Sequence, residues 1–329
     1  MNHLAKITEK EIALINPENK RLTDEFLMMN GVHLSEKTLK VYASNFNIFF
    51  DWLRRAENNK FYKDVTMVDI RKFQIAMKQE GLSGQRINHL KSSLASLSDY
   101  IIETYGMTEE WIRFENVPTR VSSLTTEKVK EKVILSEEDV ETILDTLIET
   151  ERIQHAACIA LFASSGMRIS EVVQARLDWF VGDKVNMLED DYYITPKIRT
   201  KGRGQQGKVI NKYVIKPLFD KYLNLWLEER KKLGIDSEHL FVRNINGKWV
   251  DATEATIRSW FNTIEKITNI DIHPHSLRHY TATYLRRNDV PIEVIKIILG
   301  HEDTKTTEIY IDIDETETLE GSLDFLSKN

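Results

Sequence analysis

Residues 35–106 carry three apolar stripes at helical spacing, the first two opened by a hydroxyl residue. No other feature of the chain constrains its fold as much. In "SEKTLKVYASNFNIFFDWLRRA" the stripe is Leu39, Tyr42, Phe46, Phe49, Phe50 and Leu53, with Ser35 placed to cap the helix. In "TMVDIRKFQIAMKQEG" it is Ile70, Phe73 and Met77, between Thr66 and Asp69 at the start and Gly81 at the end. In "SGQRINHLKSSLASLSDYIIETYG" it is Ile87, Leu90, Leu94, Leu97 and Ile101, stopping at Gly106. Side chains three and four apart share one face of a helix. A Ser or Thr oxygen at the start satisfies a first-turn N–H, and glycine ends the helix cheaply. Amphipathic helices joined by short connections bury their stripes against each other, so residues 30–114 are predicted to form a small all-helical domain. Residues 1–29 read as a polar, loosely ordered N-terminal arm.

Residues 115–134, "ENVPTRVSSLTTEKVKEKVI", lack periodicity, and Pro118 with the Ser, Thr and Lys content predicts a linker. A new helix starts at "LSEEDVETILDTL", with Ser136 and Asp139 as cap signals. "HAACIALFASSGMRISEVVQARL" reads as two helical pieces broken near Gly166. "DYYITPKIRTKGRGQQGKVINKYVI" is the only clear β region, short alternating runs around a glycine-rich turn at 202–207. Helical patterns return at 217–233, 252–268, 276–288 and 291–299. The fold class is therefore mainly α with a small β-sheet, in two domains.

Several function classes fall away. The longest apolar stretch, "AACIALFA" at 156–163, is far shorter than the roughly 20 residues a membrane helix needs. "MNHLAKITEKE" has no apolar core of a signal peptide, and the single cysteine, Cys158, rules out a disulfide framework. A cytoplasmic protein with no membrane partner is expected. The net charge of −6 at first argues against a nucleic-acid partner. However, residues 1–130 hold 19 Lys and Arg against 17 Asp and Glu, and residues 131–301 hold 24 against 25. The last 28 residues hold 2 against 9, so the acidity lies in the tail, and the body is free to present a basic face.

Residues 275–279, "HSLRH", put His275, Arg278 and His279 on one helical face. The plain reading is a surface turn of a basic helix. Metal binding by His273, His275, His279 and His301 is a second reading, opposed by Arg278, which would repel a dication. An oxyanion site is a third: a guanidinium fork fits two phosphate oxygens, and histidines donate and move protons. Elsewhere, "SGMRISE" places Arg168 after a glycine break. "RTKGRGQQGKVI" places Lys201 beside a turn, and "LGHEDTKTTEIYI" places His301 after a glycine with Tyr310 nine residues on.

Taken together, in this order and spacing, these pieces resemble the tyrosine recombinase (phage integrase) family. The match covers about 135–312, and the helical unit resembles the family's core-binding domain in pattern. The resemblance implies an N-terminal helical core-binding (SAM-like) domain at 30–114 and a linker at 115–134. It further implies a tyrosine-recombinase catalytic domain at 135–312 and an acidic C-terminal tail at 313–329. Tyr310 would be the nucleophile that forms a 3′-phosphotyrosine. Arg168 and Arg278 would clamp the non-bridging oxygens, and Lys201 would protonate the departing 5′-oxygen, with Lys208 its rival. His275 would assist proton transfer, His301 would bond the phosphate, and Glu171 would brace the arginine segment. No cofactor and no metal are expected, because guanidinium groups stabilise the charge and the covalent intermediate keeps the bond energy.

The partner implied is double-stranded DNA, engaged by a homo-oligomer, a dimer or tetramer, with an accessory protein allowed. Lys37, Lys40, Arg54, Arg55, Arg86, His89 and Lys91 in the first domain lie on polar helix faces and are candidate DNA contacts. Arg286, Arg287, Lys296 and Lys305 are candidates in the second. Leu319, Leu323, Phe325 and Leu326 make the tail apolar as well as acidic, suited to docking on a neighbouring protomer. A DNA-binding transcriptional regulator on the same fold, without recombination activity, is the alternative. A relaxase with the same tyrosine chemistry is a third reading.

Overall fold

The computed structural model describes residues 7–125, 134–183, 185–200 and 208–300. They fall into two compact units, residues 7–125 in one and residues from 134 onward in the other. Each unit has its own hydrophobic core.

The first unit is helical: α1 (Glu9–Ile12), α2 (Pro17–Asn30), α3 (Glu36–Ala56), α4 (Met67–Gln79), α5 (Gly84–Tyr105) and α6 (Val117–Arg120). The expected caps are present. Ser35 Oγ accepts from Thr38 N at 3.2 Å, and Ser83, which was not foreseen from the sequence, caps α5 in the same way, accepting from Arg86 N at 3.2 Å. Thr66 and Asp69 form a reciprocal capping box. The stripes of α3, α4 and α5 meet in an aromatic core where Phe49 stacks edge-on against Phe73, with ring centroids 5.0 Å apart.

Two expectations need correction here. The first 29 residues are not a loosely ordered arm throughout, because α2 buries Leu22 and Phe26, and Phe26 packs edge-on against Phe46 and Tyr100. The stripe escaped notice because a buried asparagine interrupts it. Asn19 donates to Lys60 O at 2.9 Å and accepts from Tyr62 N at 2.7 Å, so a polar side chain occupies a core position at little cost. Residues 115–125 of the predicted linker also belong to this unit, since Pro118 and Val121 are buried and Leu124 packs on the same core.

The second unit begins with α7 (Glu137–Glu149), α8 (Ile153–Ser165) and α9 (Ile169–Val172). Strands β1 (Met187–Leu188), β2 (Tyr192–Ile194), β3 (Ile198–Thr200), β4 (Lys208–Ile210) and β5 (Tyr213–Ile215) follow. Then come α10 (Lys216–Lys232), β6 (Val242–Ile245), β7 (Lys248–Asp251), α11 (Glu254–Thr268), α12 (Pro274–Arg287) and α13 (Ile292–Leu299). Helix α8 is apolar all round and buried from Ala156 to Ser165, as a central helix must be. Helices α7, α10 and α12 pack against it.

The small sheet is divided. Strands β1, β2 and β5 form one antiparallel sheet, with Tyr193 opposite Val214, and β3 and β4 form a separate hairpin. Pro196, which has no N–H to donate, sits where the ladder would otherwise run on. Thr195 bridges the gap instead: its N–H donates to Lys212 O and its hydroxyl accepts from Lys212 N, both at 2.9 Å. The region at 192–215 is not the only β structure. The β6–β7 hairpin was missed, although its turn, Asn246–Gly247, has the left-handed φ values of 51° and 82° that favour an Asn-Gly pair.

Candidate active site

The site is assembled where α8 ends. Gly166 caps α8 in the left-handed region at φ 57°, and a Cβ there would lie 2.4 Å from Leu299 Cδ2. Only glycine allows both the turn and the approach of α13. Two residues later Arg168 starts α9. Glu171, fully buried, accepts from Arg168 N at 2.9 Å and from Arg168 Nη1 at 3.0 Å, which fixes the guanidinium to its own helix start.

Arg278 comes from α12. It is only 1% exposed. Its Nη1 donates to Gly166 O, and its Nη2 donates to Leu299 O at 2.7 Å. These bonds set the plane of the fork and tie α12 to the ends of both α8 and α13. On the preceding turn His273 caps α12, its Nδ1 accepting from Ser276 N at 2.9 Å. His275 stays open to solvent. Its pKa lies below the ordinary imidazole value, first because neighbouring groups strip part of its hydration, then because Arg278, His273, Arg168 and His279 are positive. Arg168, His275 and Arg278 are thus brought together, and His279 lies one turn along the same helix.

The hairpin is held in register with this cluster. Gln174, just past α9, donates to Arg199 O at 2.8 Å and accepts from Arg199 N at 3.2 Å. Lys201 and the turn at 202–207 lie outside the described residues, as do His301, Lys305, Tyr310 and the acidic tail. Lys208 is exposed at the first position of β4, opposite Thr200.

One residue of the site was not foreseen. Lys212 is fully buried, and its Nζ donates to Ile298 O at 3.0 Å and Leu299 O at 2.8 Å, with Glu171 Oε2 at 3.7 Å. Desolvation pushes its pKa down to about 7; Glu171 works against that shift, while Arg278 and Arg168 add to it. The signal was in the alternation of "VINKYVI", where Lys212 shares a parity with Ile210 and Val214 and so falls on the inward face.

The candidate DNA contacts sort unevenly. Lys37 and Lys40 are exposed on α3, with Lys40 Nζ 2.5 Å from Glu36. Arg86, partly buried, and His89, exposed, meet on α5 at 3.2 Å. Arg54 and Arg55 both bind the buried Asp51, at 2.7 and 2.9 Å, so Arg54 serves partly to neutralise a buried carboxylate. Arg286 and Arg287 are exposed at the end of α12, and Lys296 is half-buried on α13.

Lys91 is a correction. It is 9% exposed, and its Nζ donates to Val121 O and, at 3.2 Å, to Ser123 Oγ. It pins the start of the interdomain segment, because position 91 falls within the Ile87–Leu94 stripe and not on the polar face. Lys91→Met should lower the stability of the first unit by about 1–3 kcal/mol, since Val121 O loses its donor, and leave duplex affinity within about twofold. Urea unfolding and a binding titration on the same preparation check both.

The profile of the phage integrase family matches residues 134–317, which is 184 of the 329 residues. A recombinase-like protein from the SPbeta prophage, YomM of Bacillus subtilis (strain 168), is 28% identical over 325 residues, covering 95% of this chain and 93% of its own length. A tyrosine recombinase of Thermosipho africanus (strain TCF52B) is 27% identical over 297 residues, covering 87% and 92%. Among solved structures, a lambda integrase dimer bound to a COC′ core site has the same fold, with a TM-score of 0.66 at 16% identity, covering 93% of this chain and 81% of that one. A profile that spans the whole arginine–histidine half of the molecule, in the order read from the residues, has one meaning: the chain belongs to the phage integrase family.

Proposed function

We propose that the protein is a site-specific DNA recombinase of the integrase type, cleaving and rejoining duplex DNA through a 3′-phosphotyrosine on Tyr310. The observation that carries this is the joint at Leu299, whose carbonyl accepts from both Arg278 and Lys212, while Arg278 also holds Gly166. That joint draws Arg168, His275 and Arg278 to the point from which the chain runs on to His301 and Tyr310.

In this reading Arg168 and Arg278 neutralise the non-bridging oxygens of the scissile phosphate. A phosphodiester is anionic and gathers more charge as it is attacked, so fixed guanidinium groups stabilise the transition state more than the ground state. Tyr310 Oη attacks phosphorus, the bond to the 5′-oxygen breaks, and Lys201 supplies the proton that oxygen takes. His275 moves the tyrosine proton, and His301 donates to a phosphate oxygen. The reverse reaction rejoins a new 5′-hydroxyl, so no nucleotide is consumed. The DNA is held by polar side chains of both units, Lys37, Lys40, Arg86, His89 and Arg287 among them. Two copies, each cutting one strand, are the least that exchange requires, and the lambda integrase dimer on its core site supports that stoichiometry. We place the protein in the cytoplasm, with its substrate.

The test is a nicked suicide duplex carrying a binding site selected from a random pool. A covalent protein–DNA adduct that survives SDS is expected, with the DNA-linked peptide containing residue 310. Tight specific binding with no adduct would assign the chain to the regulator class instead.

His275 gives this reading a pH signature. Its folded pKa is depressed below 6.5, so the ring is neutral at neutral pH and takes up a proton only further into the acid range. Cleavage is expected to fall on an acid limb whose midpoint lies below 6.5, and His275→Gln should lose that limb along with most of the rate, about 10²-fold. Single-turnover cleavage across pH reads it. The same shift makes stability fully present above 6.5 and lost as pH falls through the folded pKa.

A further inference from the structure

We propose that Lys212 is a positioning residue of the strand-exchange site, a buried cation that locks the end of α13 to the arginine helix and so sets where the chain presents His301 and Tyr310. This rests on the recombinase reading.

Three contacts carry it. Lys212 Nζ donates to Ile298 O at 3.0 Å and to Leu299 O at 2.8 Å, the last two carbonyls of α13. At 3.7 Å it faces Glu171 Oε2, the carboxylate whose other oxygen holds Arg168 Nη1. Leu299 O is shared with Arg278 Nη2. One ammonium thus joins the segment between β4 and β5, the start of α9, the side chain of α12 and the end of α13.

The carbonyls at a helix C-terminus have no partners within the helix, and a cation is the best donor for them. Here the cation comes from a distant strand region and not from a neighbouring turn. Gly300 follows immediately, in the left-handed region at φ 68°, and a Cβ on it would stand 3.3 Å from Lys212 Nζ and 2.7 Å from Ile210 Cδ1. The left-handed cap favours glycine, and its missing Cβ leaves room for Ile210 and Lys212 beside it. His301 is the next residue.

Lys212 Nζ is committed to the carbonyls of Ile298 and Leu299 within the core, so it acts through the chain it holds and not as a second general acid beside Lys201. Burying an ammonium is unfavourable unless its donors are satisfied and a counter-charge is near. Both conditions hold, and what they secure is the junction between the end of α13 and the start of α9.

The charged groups facing Lys212 are Glu171 and Arg168 from α9 and Arg278 from α12. When Lys212 loses its proton, its attraction to Glu171 ends and only the carbonyl bonds remain. Lys212→Met and Lys212→Arg are compared with the wild type in the full chain. The measurements are single-turnover cleavage of the nicked duplex from about pH 6 to about pH 9 and equilibrium binding to the same duplex. Lys212→Met is expected to bind within about twofold and to cleave about 10- to 100-fold more slowly, the size of effect that a shifted reacting group produces. Lys212→Arg, charged at every pH, is expected to recover most of that rate and to lose the inflection near neutral pH that the wild type shows.

A purely structural role would lower binding and cleavage together and leave the shape of the pH profile alone, which overturns the proposal. So does a Met variant that cleaves at the wild-type rate. Should Lys212→Met not fold, Lys212→Arg decides alone, and retention of the inflection counts against the idea. If the wild type itself forms no adduct, the recombinase reading has failed first, and the two failures are told apart.

Discussion

Tyr310→Phe is expected to abolish the covalent adduct, a loss of at least about 10⁴-fold in strand cleavage. Duplex affinity should stay within about twofold of wild type. The change removes one oxygen atom and keeps the ring. Affinity resides in phosphate contacts made by Lys and Arg, which the substitution leaves alone.

The assignment has rivals on the structure, and they can be weighed. Tyr280 lies two positions from Arg278 but is buried, and desolvation holds its hydroxyl well above the ordinary tyrosine value, so its oxyanion is disfavoured. Tyr193 donates to Asp220 at 2.6 Å, and burial likewise holds its hydroxyl up. A nucleophilic tyrosine needs the reverse, cations that favour its oxyanion. An adduct that persists in Tyr310→Phe at the wild-type level would transfer the nucleophile to another side chain and end the present assignment.

The second large effect belongs to Arg278. Arg278→Lys is expected to slow cleavage by about 10²- to 10³-fold, the cost of removing one preorganised donor from a charge-stabilising site. It keeps the charge but loses the fork. A lysine ammonium in that place cannot hold Gly166 O and Leu299 O in one plane while also facing a phosphate oxygen. Each buried carbonyl left without a donor also costs about 1–3 kcal/mol of stability. The two consequences separate by experiment: thermal unfolding reads the stability, and cleavage at a temperature where both proteins are fully folded reads the chemistry. Equal cleavage rates under those conditions would show that Arg278 is a structural tie and not a phosphate clamp.

Much of this was visible in the sequence where local physics decides the outcome. The caps at Ser35, Thr66 and Ser136 each lie one residue before a helix that the structure contains, because a hydroxyl oxygen that accepts a first-turn N–H is a purely local device. The break at Gly166 was legible for the same reason. The cluster of Arg168, His275 and Arg278 was legible only through the family pattern, since nothing local joins residues 110 positions apart.

What could not be read was burial of polar groups. Asn19, Lys91 and Lys212 occupy core positions, and each is stabilised there by backbone groups far away in sequence. A polar residue type argues for solvent even where its spacing points inward, so α2 was overlooked and Lys91 was assigned to DNA. The β6–β7 hairpin was a different kind of miss. Its Asn-Gly turn was in plain view, but flanking strands of four residues are too short to show alternation.

The two units do not share a hydrophobic core: one cluster draws on residues 15–121, the other on residues 135–280. Natural selection and the protein engineer can therefore treat them as exchangeable parts. A helical half taken from another family member and grafted ahead of residue 134 is expected to leave the core of the second half folded.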